Sequence, residues 1–262
     1  MIEINKRLIE RHLNDKLISE AWDLLENDEE VQNLIEMANI MAVNRLKYND
    51  HGIVHARIVS GTALEIFELL KNRNIEFSSL KEGITKNESE IKLILLFASY
   101  LHDIGNAVHR TNHELIGSLL SKDIVKRLLE KLGIEKSRII KLTTEIMHAI
   151  YATNIKTNAL TTEASIVKIT DSLDMSEGRA RIPYKMGKLD VHSTSALSIK
   201  KVEIDNGDKP LKIVVHMNDY AGLFQIEELV IPKVKHSTLK DSVEIYLKID
   251  EKTEQVYPSK HV

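Results

Sequence analysis

The chain has 262 residues, 43% of them hydrophobic and 29% charged, with a formal net charge of -3. That balance can bury a sizeable core, and no global basic field argues for nucleic acid. Cysteine is absent, which excludes disulfides, thiolate metal sites and a cysteine nucleophile, and leaves His, Asp and Glu as metal ligands.

Apolar residues at helical spacing predict a first amphipathic helix over 4–26, through Ile4, Leu8, Leu13, Leu17, Ile18, Ala21, Leu24 and Leu25. A second is expected from about Glu29 to Leu46, and a third from Ile53 through Ile58, Val59, Ile66 and Leu70. The polar stretch 72–87 reads as a loop. Glu88–Leu101 is a buried helix. Thr111 or Asn112 caps the next, which Gly133 stops after Leu132. Lys136–Ala149 and Thr162–Leu173 complete the helical part. Beyond Pro183 the pattern changes. Leu197–Ile204, Leu211–Met217 and Ser242–Ile249 alternate as strands, with a helix over Gly222–Lys235 that Pro232 breaks or ends early. The expected fold class is mainly α: a helical domain over 1–189, then a small α+β (ββαβ) module over 190–262. A sheet that small needs its edges covered, so the module is expected to dock on the helical domain or to pair in a homodimer, assisting assembly or covering the site without carrying the chemistry.

The N-terminus alternates charged and apolar residues and has no secretory-signal core. Ile91–Ile104 is too short to span a bilayer and is interrupted by charge. A cytoplasmic protein without membrane contact is expected.

The chemistry is carried by His and Asp distributed over the helical part: His55 in HGIVHARIV, His102-Asp103 in LLFASYLHDIGN, His113 in HRTNHELIG, His148 in EIMHAIY, and Asp171 in IVKITDSLDMSEGRARIP. The adjacent pair ends a strongly apolar helix, and Asp171 follows the apolar run 166–169. A carboxylate buried in either place is costly unless paired or metal-bound. Imidazole with carboxylate suits Mn, Fe, Ni, Co or Zn. Any one of these histidines alone is more economically a satisfied structural residue; the ordered set is what points to metal. His12, His192, His216, His236 and His261 stand in no such context.

In order and spacing, His55, His102, Asp103 and Asp171 resemble the HD superfamily of metal-dependent phosphohydrolases. His113 and His148 match the extra ligands of its binuclear members. The resemblance covers roughly 48–185. The runs DHGIVHA and SLDMSEGRARIP are similar to an archaeal branch described as phosphatase, phosphodiesterase or nucleotidase. The resemblance implies His55, His102, Asp103 and Asp171 around one divalent ion, and Asp103, His113 and His148 around a second, with Asp103 bridging. Two ions about 3.5–4 Å apart would activate a hydroxide and neutralise phosphoryl charge. His109, four residues before His113, is a candidate catalytic contact, and His51, four before His55, a candidate substrate contact. Lys168, Arg179 and Arg181 flank Asp171 and are candidate phosphate-binding cations. Asp174 reads as a supporting or solvated residue.

Two departures stand out. Asn106 occupies the place of lysine in the more usual HDIGK. After His148 there is neither a second adjacent His nor a Gly-Tyr-Pro motif, against the cyclic-di-GMP phosphodiesterase branch. The expected function is metal-dependent hydrolysis of a phosphate mono- or diester, a nucleotide or related small molecule. A di-iron oxygenase on the same ligands and a non-catalytic nucleotide-binding regulator are the alternatives. Nucleic-acid substrates are compatible with the NHELIG run but disfavoured by the acidic balance.

Overall fold

Between Ile91 and Leu101, only Lys92, Ser99 and Tyr100 interrupt an apolar run. A helix apolar on every side belongs at the centre of a bundle. In the computed structural model, which describes residues 1–175, 195 and 197–258, Glu88–Leu101 has that place. The helices are α1 (Lys16–Asn27), α2 (Glu29–Asn39, continued by a π-helical stretch Ile40–Arg45), α3 (Ile53–Lys71), the one-turn α4 (Ser78–Lys81), α5 (Glu88–Leu101), α6 (His113–Lys131), α7 (Lys136–Tyr151) and α8 (Thr162–Asp171). Helix α5 packs against α1, α3, α6, α7 and α8. No helix among the described residues is long and apolar enough to cross a membrane.

Local chemistry sets the helix ends. Asp15, Asp28, Asn87 and Thr161 accept from the backbone N–H of Leu17, Val31, Glu90 and Ala164 at 3.1, 3.2, 3.0 and 3.1 Å, each cap contributing about 1 kcal/mol. Gly133, at φ +72°, ends α6 as expected. Asn112 precedes α6 but caps nothing through its side chain; it is itself left-handed, at φ 61°. The loop expected over 72–87 contains the single turn α4.

The N-terminal helix is shorter than its periodicity suggests. Asp15 starts α1, and the preceding residues form a strand, Ile2–Glu3 (β1), and a 3-10 turn, Leu8–His12. Ile4, Leu8 and Leu13 recur at helical spacing because each packs on the core from an irregular path. Strand β1 pairs antiparallel with the C-terminal sheet, Ile2 facing Ile204.

That sheet has five strands in the order β1-β2-β3-β4-β5, with β2 Ile199–Asp205, β3 Leu211–Met217, β4 Val243–Ile249 and β5 Lys252–Tyr257. The ββαβ expectation therefore lacked both outer strands. Strands β3 and β4 run parallel, joined by the helical crossover such a pair requires. The crossover holds α9 (Leu223–Gln225), a π-helical turn Ile226–Val230, and α10 (Ile231–Lys235). Pro232 does not break it, because it enters at the first turn of α10, where a missing N–H is tolerated. One apolar cluster runs from the helices into the sheet, and Asn206 Nδ2 donates to the Leu69 carbonyl of α3 at 3.0 Å.

Candidate metal centre

Three chain segments end or begin at one place. His51 lies just before α3, and His55 sits on its first turn. His102 and Asp103 follow the last residue of α5, and Asp171 is the last residue of α8. His55, His102 and Asp103 are buried and Asp171 nearly so. His55 Nε2 and His102 Nε2 lie 3.2 Å apart. Asp171 Oδ1 is 3.4 and 3.2 Å from these nitrogens, and Asp103 Oδ2 is 3.4 Å from each.

The outer ring nitrogens decide what this convergence means. His55 Nδ1 faces Asp174 Oδ2 at 2.7 Å, and His102 Nδ1 faces the Ser99 carbonyl at 2.8 Å. Both partners accept, so each neutral ring carries its proton on Nδ1 and turns the bare Nε2 inward. Two imidazole lone pairs and two carboxylates then face one another in a buried space, which demands a cation. The sets His55–His102–Asp171 and His51–His55–Asp103 each bring ligand atoms within 4.8 Å of one another. The donor set fits a divalent metal.

When no metal is bound, a proton meets the same demand. Burial works against charge on His102, but Asp103 and Asp171 outweigh it and raise its pKa to about 10. Burial also pushes both carboxyls up; His51 and His102 hold Asp103 well below the usual range, and Lys233 with His102 does the same for Asp171. A metal entering here must displace the His102 proton at any pH below about 10. Apparent affinity should therefore rise with pH, by about tenfold per unit for one proton. Calorimetric titration with Mn(II) in buffers of different ionisation enthalpy should register about one proton released. A heat independent of the buffer would contradict this.

His113 opens α6 beside the cluster. Its Nδ1 donates to the Arg110 carbonyl at 2.9 Å, and its Nε2 lies 3.1 Å from an Arg110 guanidinium nitrogen, which can only donate. Nε2 is again a bare acceptor, 3.5 Å from Asp103 Oδ1. Burial lowers the pKa of His113, against the pull of Asp103 and with the help of Arg110. The two oxygens of Asp103 thus face opposite sides, Oδ2 toward His51, His55 and His102, and Oδ1 toward His113. Asn106, standing where HDIGK has lysine, donates to Asp103 Oδ1 at 2.9 Å and fixes that carboxylate.

The other expected residues fall elsewhere. His148 is half-buried on α7 with Nε2 accepting from the Leu160 N–H at 3.2 Å, and it belongs to neither of the two ligand sets. Its pKa is lowered by burial. His109 is exposed, its Nδ1 accepting from the Thr111 N–H at 2.9 Å, within its own loop. Lys168 corrects the expectation of a phosphate-binding cation. Its ammonium donates to the carbonyls of Ala152, Asn154 and Thr157, tying down the turn after α7, with the first and last at 2.8 and 2.9 Å. Burial chiefly, then the charge of Lys233, pulls its pKa down to about 7. Arg179 and Arg181 lie outside the described residues. His51 is close to the cluster itself, with Nδ1 2.6 Å from Asp103 Oδ2.

Sequence reasoning missed two cations. Arg110, in the same HRTNHELIG run as His113, also donates to Asn106 Oδ1 at 3.2 Å, and its nearness to His113, three residues on, was readable from that run. Lys233, on α10, pairs with Asp171 Oδ2. The module over 190–262, expected to assist assembly or cover the site without carrying the chemistry, reaches the cluster through this pair.

Comparison with known proteins agrees with this geometry. Residues 52–176 match the HD domain. The chain is 41% identical over 230 residues to an uncharacterized protein of Methanocaldococcus jannaschii, covering 87% of this chain and 88% of that one. No solved structure matches it. The matched segment spans His55, His102, Asp103, His113, His148 and Asp171, and the chain belongs to the HD superfamily of metal-dependent phosphohydrolases.

Proposed function

We propose that this chain hydrolyses a phosphate mono- or diester of a small molecule, a nucleotide foremost, at a binuclear centre. The observation that carries the reading is the splitting of Asp103, whose Oδ2 faces His55 and His102 while its Oδ1 faces His113. His55, His102, Asp103 and Asp171 would hold one ion. Asp103 and His113 would hold a second, with His148 completing it on turning from the Leu160 N–H. Divalent ions supply Lewis acidity, lowering the pKa of water toward neutrality and offsetting phosphoryl charge. The chain's own groups do the rest. Asp174, the Ser99 carbonyl and the Arg110 carbonyl keep three rings oriented with Nε2 inward. Asn106 fixes Asp103, and Arg110 brings a guanidinium to the His113 side, where an anionic ester would gain from it.

The test is turnover of p-nitrophenyl phosphate, bis-p-nitrophenyl phosphate and a panel of nucleotides by protein loaded in turn with Mn, Ni, Co, Fe and Zn. Metal-dependent release of product from at least one ester is expected. Fully loaded protein that cleaves none of them would overturn the reading.

A further inference from the structure

Lys233 is an unusual residue to find at the bottom of this site. It lies 62 positions after Asp171, on α10 packed against α8, and is 8% exposed. Burying an ammonium is costly unless it is paired, and among the described residues its partner is Asp171. The pairing uses one oxygen only: Lys233 takes Oδ2, while Oδ1 faces His55 and His102. Asp171 therefore holds the lysine on one side and leaves its other oxygen for the cluster. An ammonium has three donors, and one carboxylate oxygen does not satisfy them. The neighbouring Lys168 offers nothing comparable, because its ammonium is taken by three backbone carbonyls.

Charge balance points the same way. The two divalent ions of the reading above together with Lys233 would bring more positive charge than Asp103, Asp171 and Asp174 neutralise. An anionic substrate would supply the difference, and a dianionic phosphoryl group bound beside Asp171 would meet the remaining lysine donors. We propose that Lys233, delivered by the C-terminal module and positioned by Asp171, is a substrate-binding residue that donates to a phosphoryl oxygen. The proposal rests on the phosphohydrolase reading above. It makes the module part of the active site and explains why the sheet and its crossover are joined to the helical core.

The test uses the full-length, metal-loaded protein and inorganic phosphate as probe, with affinity read by calorimetry so that no turnover is needed. Lys233→Met is expected to keep its metal content and fold and to bind phosphate more weakly, on the order of tenfold to a hundredfold, the size of a charge-assisted hydrogen bond. Lys233→Arg should stay within a few-fold of wild type. If Lys233→Met melts, Lys233→Gln, which keeps a donor but not the charge, should show the same weakening. Phosphate binding unchanged in a folded, metallated Met or Gln variant would overturn the proposal and leave the hydrolase reading intact. Loss of metal in parallel with phosphate would also overturn it, reducing Lys233 to a residue that positions Asp171. Wild-type protein that binds metal but no phosphate would also overturn the proposal, whereas the hydrolase reading falls only if the loaded protein cleaves none of the esters above.

Discussion

Asp103→Ala should abolish metal-dependent turnover and reduce metal affinity by more than about a hundredfold. The lower bound comes from residues that only support a ligand, whose loss already costs about 10–100-fold. Asp103 does more, since its Oδ2 lies among His51, His55 and His102 and its Oδ1 faces His113. Removing it takes away negative charge from both sides at once. It also removes the carboxylate that, with Asp171, raises the pKa of His102 to about 10. The variant should therefore lose metal without losing its fold, because Asp103 belongs to the polar cluster and not to the apolar core around α5. Metal content after dialysis, read beside circular dichroism, checks this. Full metal retention and near-wild-type activity in a folded variant would refute the assignment of the site.

Gly105→Ala carries the largest expected effect on stability. A Cβ at Gly105 would lie 1.9 Å from the His113 carbonyl oxygen and 2.5 Å from the Gly117 nitrogen. Both atoms are backbone, so no side chain can swing aside. The turn after His102-Asp103 and the start of α6 must separate, at about 3 kcal/mol or more, which for a chain of this size lowers Tm by roughly 6–12 °C. The separation would also carry His113 away from Asp103. Gly133→Ala is the control. That glycine is left-handed at φ +72° with nothing within 4 Å of the added carbon, so it should cost only about 1–2 kcal/mol. Thermal melts that rank the two variants the other way would refute this account of the close approach.

The sequence was legible where periodicity and chemistry coincide. Helices α3, α5, α6, α7 and α8 each bury a regular apolar face or a wholly apolar surface, and the HD pattern stands at their ends. The N-terminus misled, because residues on an irregular path can recur at helical spacing when they pack on the same core. Strand β5, KTEQVY, has few apolar residues to alternate and is recognisable only by its pairing with β4. Lys168 seemed poised beside Asp171 because it lies one helical turn before it. Helical side chains lean toward the N-terminus, so Lys168 reaches back to the carbonyls of 152–157 and away from the cluster. Lys233 was invisible for the opposite reason. Its place beside Asp171 depends on how the crossover between β3 and β4 folds back on α8, a tertiary relation that no local pattern encodes.

The central claim is that a divalent metal sits among the inward-facing Nε2 atoms of His55 and His102 and the carboxylates of Asp103 and Asp171. Anomalous diffraction from crystals grown with Mn(II) tests it most directly. The account predicts a strong peak between His55, His102 and Asp171, with a second on the His113 side of Asp103. Crystals in which manganese scatters elsewhere on the protein, while those four side chains keep direct contact with one another, would contradict it.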